Sequence, residues 1–316
     1  MASGSKKVIY AALIGNALIA VTKFAASAFT GSSAMLAEGI HSLVDTGNQG
    51  LLLYGLHKAK KPPDEQFPFG HGKEVYFWSF VVAILIFALG AGISLYEGVL
   101  HILHPEPIEN PMVNYVVLGL ALIFEGGAWY FAFKEFSEVK GRWSYFQAVQ
   151  RGKDPTMFLV LFEDSAAVLG LIVAFVGIWL GQVTGIPYLD GVATVIIGLI
   201  LGATAVWLAY ETKGLLIGES ANREVVQDIR ALAEQCAEIK HVNEVLTMHM
   251  GPDFILVNVS VDFRDGLTSE QVESTIASID HQIKHVHPRV KRVFIEAEKR
   301  RRQVQEKRAA LAEKKS

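Results

Sequence analysis

The chain has 316 residues, of which 51% are hydrophobic and 19% charged, and its net charge of −3 hides a very uneven distribution. Together with a positive mean hydropathy, this points to a membrane protein rather than a soluble enzyme, and no nucleic-acid partner is expected. The single cysteine, Cys236, excludes an intrachain disulfide and thiolate metal clusters.

The opening Met-Ala-Ser-Gly-Ser-Lys-Lys runs into an apolar stretch without a convincing small-residue cleavage site, so it reads as an uncleaved first span. Six stretches are long enough to cross about 30 Å of hydrocarbon as helices. They are Val8–Phe29, Ala34–Leu56, Trp78–Leu100, Val113–Phe133, Met157–Leu180 and Leu189–Tyr210. The expected fold is a polytopic α-helical membrane protein, with residues 1–212 forming a six-helix transmembrane transport domain. Lys6 and Lys7 precede the first span. Lys58, Lys60, Lys61 and Lys73 lie in the second connection, and Lys134, Lys140, Arg142, Arg151 and Lys153 in the fourth. The first, third and fifth connections carry no Lys or Arg. This asymmetry predicts cytoplasmic N- and C-termini, in the inner membrane if the source is bacterial.

A connector, residues 213–221, leads into a soluble stretch, 222–298. Asn222 is placed to cap a helix carrying Val225, Val226, Ile229, Leu232, Ala233 and Cys236 at helical spacing. Two strands follow, Val242–Met250 and Phe254–Phe263, joined by Gly251-Pro252-Asp253. The second alternates Ile255, Val257, Val259 and Val261 with polar residues. Thr268 and Gln271 form a capping-box pattern at the head of a second helix, and Val290–Glu296 reads as a third strand. The expectation is a small cytoplasmic α+β sandwich of αββαβ order, serving dimerisation or regulation. A domain of this size gains stability by pairing with a copy of itself. The charged tail, 299–316, reads as a solvated or frayed helix, with anionic lipid or a partner as the alternative.

Ionisable groups inside apolar spans are costly and therefore informative. Span two contains Glu38, His41, Asp45, Asn48 and Gln49; span five begins with Glu163 and Asp164; span four holds Glu125; span one holds Asn16 and Lys23. On a helix, His41 and Asp45 lie one turn apart and roughly 40° around the axis, so they face the same way. Such a pair either locks two helices together or shares a divalent cation. The adjacent carboxylates of span five, with only Lys23 as a fixed positive charge at depth, favour the cation.

His41-Ser-Leu-Val-Asp45, Phe69-Gly-His-Gly-Lys73, and Asp164 followed by small residues occur in order, before the αββαβ stretch. This series resembles the cation diffusion facilitator family of metal/proton antiporters. Thr46-Gly-Asn-Gln49 and Leu161–Gly170 bring it closest to the branch that includes the mitochondrial-type zinc transporter nine and its bacterial relatives. The resemblance implies a homodimer that exchanges a divalent ion, Zn2+ first, for protons by alternating access, with no prosthetic group and no enzymatic activity. It assigns His41 and Asp45 to the span-two pair and Asp164 to span five.

Where the zinc-selective members usually carry a histidine, four residues before Asp164, this chain has Val160. Glu163 ranks first as the further ligand, with Glu125 or water as alternatives. An oxygen-rich site leaves room for Fe2+, Mn2+, Co2+ or Ni2+. Asp64 and His71 match two ligands of a weaker loop site, with Phe67 standing where a further histidine is often found. In the soluble domain, Glu244, Asn258, Glu296 and Glu298 fall near positions where relatives carry histidines and carboxylates, which argues that the regulatory metal cluster there is weakened or absent. His241, His249, His281, His285 and His287 read as surface residues. Lys73 is a candidate ion-pair partner for Glu219, or a solvated lysine. Asn16, Asn48 and Gln49 are expected to make interhelical hydrogen bonds. A carboxylate-lined cation channel is the reading from another class. An intramembrane metallohydrolase is disfavoured by the lack of a His-Glu-x-x-His stretch.

Overall fold

The computed structural model describes residues 3–105, 108, 110–140, 143–152 and 154–300. The tail from residue 301, Arg142 and Lys153, and the side chains of Lys6 and Lys7, lie outside the described residues. The chain divides into two compact units. One comprises residues up to 61 with 74–213, and the other 62–73 with the chain from 214 onward.

The first unit is helical, as apolar surroundings demand, because only a helix satisfies its own backbone without water. Its helices are α1 Ser3–Thr30, α2 Ser33–Ala59, α3 Glu74–Leu85, α4 Gly92–Leu103, α5 Pro111–Lys140, α6 Tyr145–Arg151, α7 Pro155–Thr184 and α8 Tyr188–Ile217. Among the described residues, 74–103, 111–138, 158–184 and 188–217 form four helical stretches long and apolar enough to cross a membrane. The helix ends follow local chemistry. Gly31, at φ +71°, breaks the chain after α1, and Ser32 caps α2 by accepting from the Met35 N–H. Asp154 caps α7 with Pro155 in its first turn, and Gly185 ends it in the left-handed conformation.

Two features fall outside the sequence expectation. A π-helical turn, Ile86–Ala91, joins α3 to α4, and α6 is an additional short helix held by a Ser144–Gln147 capping box. The helices also run past the apolar stretches that announced them, because hydropathy marks the lipid-facing middle and not the polar ends.

Helix α2 packs against α1, α3, the π turn and α7, while α5 lies against α7 and α1. At the other side, α4 meets α8 through glycines. A Cβ on Gly98 would stand 2.8 Å from the Val195 backbone nitrogen, so only glycine permits that approach. Helix α2 therefore buries several polar residues, among them Glu38, His41 and Asn48.

The second unit contains α9 Arg223–Glu234, β1 Ile239–Gly251, β2 Phe254–Phe263, α10 Ser269–Val286 and β3 Val290–Ala297. Strand β2 is central, antiparallel to β1 and parallel to β3. Its inward Val257, Val259 and Val261 meet Ile229 and Ala233 of α9 and Ile279 and Ile283 of α10 in one apolar core. The Thr268–Gln271 capping box forms. Asn222 occupies the N-cap of α9 but makes no side-chain capping bond. The loop 62–73 lies against the β1–β2 turn, where a Cβ on Gly251 would stand 3.0 Å from the Gly72 Cα.

Candidate cation site

A cavity of about 260 Å³ opens between α1, α2, α5 and α7. Asp45, Glu125, Glu135, Glu163 and Asp164 contribute carboxylates to its lining, with Asn16, Ser42 and Gln49 as neutral polar groups and no basic residue among them. Val160 lines it one turn before Asp164. Carboxylates gathered in a cavity with low-dielectric walls concentrate negative potential, which a cation relieves.

The His41 Nε2 lies 3.4 Å from the Asp45 Oδ2. His41 is 1% exposed, and neither ring nitrogen has a hydrogen-bond partner. Buried polar atoms left unpaired are costly and rare, so both nitrogens are available to a ligand. His41 does not line the cavity itself and reaches it only through its neighbour Asp45, which does.

Asp45 faces Glu163 across the α2–α7 contact, within side-chain hydrogen-bonding reach. Glu163 in turn accepts a 2.6 Å hydrogen bond from Asn48 Nδ2. Although Glu163 and Asp164 are neighbours on a continuous helix, both border the cavity. Among the described residues, no three His, Cys, Asp or Glu side chains converge tightly enough to hold an ion as they stand. The structure thus brings His41, Asp45, Glu163 and Asp164 to one place without closing a coordination shell.

Glu125 also borders the cavity, but its Oε1 is taken by the Lys23 Nζ at 2.7 Å. The same ammonium reaches Glu38 Oε2 at 3.1 Å and Ser42 Oγ at 2.8 Å. The sequence singled out Lys23 as the one deep positive charge; what it lacked was the partner on each neighbouring helix. Sequence reasoning missed Asp190 of α8 altogether. That carboxylate is 1% exposed and accepts from the Ser32 and Ser33 hydroxyls and from the Ser33 and Ala34 backbone N–H groups, capping α2 from another helix. The signal was present as an aspartate in the first turn of an apolar helix and a Ser-Ser pair before α2.

In the second unit, Asp64 and His71 do meet, Oδ2 to Nε2 at 2.9 Å. The Phe67 N–H donates to Asp64 Oδ1 at 2.7 Å, and the Phe67 ring packs on the His71 ring with centroids 4.6 Å apart. His71 first, and the Phe67 N–H second, hold the Asp64 carboxyl below the usual carboxylate range. Lys73 donates to the Leu216 carbonyl at 3.5 Å. His249 is 2% exposed, so it belongs to the interior and not to the surface, because its place in β1 faces the packed side. Glu298 accepts from Ser260 Oγ at 3.0 Å, which ties the end of β3 to β2.

Residues 9–217 match the family described as the cation efflux transmembrane domain. The chain belongs to this family, the cation diffusion facilitators. It is 36% identical over 263 residues to the mitochondrial proton-coupled zinc antiporter SLC30A9 of Homo sapiens, covering 82% of this chain and 46% of the relative. It is 28% identical over 261 residues to Metal tolerance protein C4 of Arabidopsis thaliana, covering 82% and 57%. With the manganese efflux system protein MneP of Bacillus subtilis strain 168 it shares 26% identity over 301 residues, covering 92% and 95%. The chain spans about half the length of the zinc antiporter relatives that it matches. It carries the family's transmembrane domain over residues 9–217, followed by the small sheet domain described above.

Proposed function

We propose that the protein is a divalent metal/proton antiporter that exports Zn2+ from the cytoplasm. The observation that carries this reading is His41, buried with both ring nitrogens unpartnered and 3.4 Å from Asp45, a residue that lines an acidic cavity. A neutral imidazole and ionised carboxylates are the forms that bind a divalent ion, so loading the site releases protons and protonation expels the ion. His41, Asp45, Glu163 and Asp164 are the proposed ligands, drawn together by small movements of α2 against α7. No general base or reactive nucleophile is called on, and the reading is of a carrier, not an enzyme.

The same reading takes residues 1–212 as six membrane spans, adding α1 and α2 to the four most apolar helical stretches. Residues 222–298 form an αββαβ dimerisation domain in the cytoplasm with both termini, and the working unit is a homodimer alternating between inward and outward states. A second metal, Mn2+, has specific support. The donor set is rich in oxygen, Val160 supplies no imidazole, and one relative matched along nearly its whole length is a manganese efflux protein.

The test is uptake of Zn2+ and Mn2+ into proteoliposomes with and without an imposed pH gradient. Accumulation above the external concentration, driven by the gradient and lost in His41→Ala and Asp45→Ala, is the expected result. Downhill flux alone favours the channel, and unaltered transport in both variants removes the site.

A further inference from the structure

Lys23 is wholly buried, and its ammonium is held by three oxygens on two other helices: Glu38 Oε2 at 3.1 Å, Ser42 Oγ at 2.8 Å and Glu125 Oε1 at 2.7 Å. Three acceptors for three N–H donors leave the lysine fully satisfied. Of these partners, Ser42 and Glu125 also line the acidic cavity, whereas Glu38 does not. The ammonium does not line the cavity itself but bonds to two residues that do, and so holds Glu125 where a bound cation would otherwise find an oxygen ligand. The second Glu125 oxygen, Oε2, is buried without a partner, so that carboxylate is anchored through Oε1 alone, by Lys23 at 2.7 Å and by the Ser42 hydroxyl at 3.5 Å.

We propose that Lys23 is a positioning residue that acts as a resident cation. It withholds Glu125 from the transported metal, restricts the ligands to α2 and α7, and cancels one negative charge beside the site. The inference rests on the cavity being a divalent-metal site. An extra carboxylate would make the site harder and more negative, which tightens binding of oxygen-preferring ions and slows their release. A purely structural lysine would tie α1, α2 and α5 together and leave the metal indifferent to its removal.

The experiment uses the purified full-length chain and Co2+, whose visible absorption reports ligand number and type. Lys23→Met alone strands Glu38, so it is combined with Glu38→Gln. The double variant is expected to bind Co2+ roughly tenfold more tightly or better, since charged-ligand count sets divalent-ion affinity, with a changed spectrum. Adding Glu125→Gln is expected to restore the parent affinity and spectrum. Lys23→Arg, which keeps the charge, is expected to match the parent.

A second measurement needs no substitution. A hydrophobic carbodiimide adds to the Glu125 carboxyl, the Lys23 amine attacks the activated carbonyl, and an amide forms as the urea derived from the carbodiimide leaves; this cross-link is expected with Co2+ bound as well as without. A double variant indistinguishable from the parent, a change that survives Glu125→Gln, or a cross-link abolished by Co2+ overturns the proposal. Loss of Co2+ binding in Asp45→Ala, seen alongside any of these, leaves the metal-site reading standing. Co2+ binding that ignores Asp45→Ala instead removes the site itself.

Discussion

Asn48 donates a 2.6 Å hydrogen bond to Glu163, and this bond ties the buried face of α2 to α7 at the cavity. It fixes one Glu163 oxygen and leaves the carboxyl aimed toward Asp45. Asn48→Ala is expected to keep the protein folded, because interhelical hydrogen bonds in membranes contribute about 0.6–1.7 kcal/mol. It is expected to lower metal affinity roughly 10–100-fold, the usual effect of losing a group that orients a ligand. Calorimetric Zn2+ titration of the purified variant checks this, and native affinity contradicts an orienting role for Asn48.

Asp190 caps α2 from α8 with both oxygens engaged. Asp190→Ala strands the Ser33 and Ala34 N–H groups at about 1–3 kcal/mol for each unsatisfied group. Asp190→Asn keeps an acceptor but gives up the negative charge that favours a helix N-terminus. Thermal unfolding in detergent, followed by circular dichroism, should rank native above Asp190→Asn above Asp190→Ala. An alanine variant as stable as the native chain contradicts the capping role.

These two residues mark how far the sequence is legible. The alternation of Val257, Val259 and Val261 announces β2, and Thr268 with Gln271 announces α10, because each signal is local to one element. The His41–Asp45 couple is legible for the same reason, since one helical turn suffices to place both side chains. The Lys23 network and the Asp190 cap depend on which helices become neighbours, over separations of 102 and 157 residues. Composition cannot encode that. The π turn at Ile86–Ala91 is equally hidden, since its residues are ordinary apolar ones.

Within the loop 62–73, an exposed Asp64 carboxylate pairs with the largely covered ring of His71. A carboxyl whose pKa is lowered on folding contributes stability above its unfolded value, near pH 4, and loses it as pH falls through the folded value. The loop should therefore keep its turn at neutral pH and loosen only in acid below about pH 4. Hydrogen exchange of the Phe67 and Gly70 amides across a pH series reads this. Protection unchanged down to pH 2 shows that the carboxylate does not hold the turn.

The same loop meets the β1–β2 turn backbone to backbone at Gly72 and Gly251. Gly72→Ala places a Cβ against the Met250 carbonyl. Forcing an atom into packed structure costs about 1–3 kcal/mol. Faster nicking of residues 62–73 by a limiting amount of protease is the expected result. An unchanged nicking rate indicates that the loop docks by other contacts.

Val160 lines the cavity one helical turn before Asp164, so a side chain there points where the carboxylate points. The native donor set holds one imidazole and several carboxylates, and replacing Val160 with histidine adds a second nitrogen without disturbing any hydrogen bond. Imidazole suits Zn2+ better than Mn2+, whereas carboxylates suit both. Val160→His should therefore raise the preference for Zn2+ over Mn2+ by roughly tenfold or more, the scale of about 1.4 kcal/mol of differential ligation. Competition between the two ions for uptake into proteoliposomes measures the ratio directly. A ratio equal to the native one places the metal away from Val160, and with it away from Asp164.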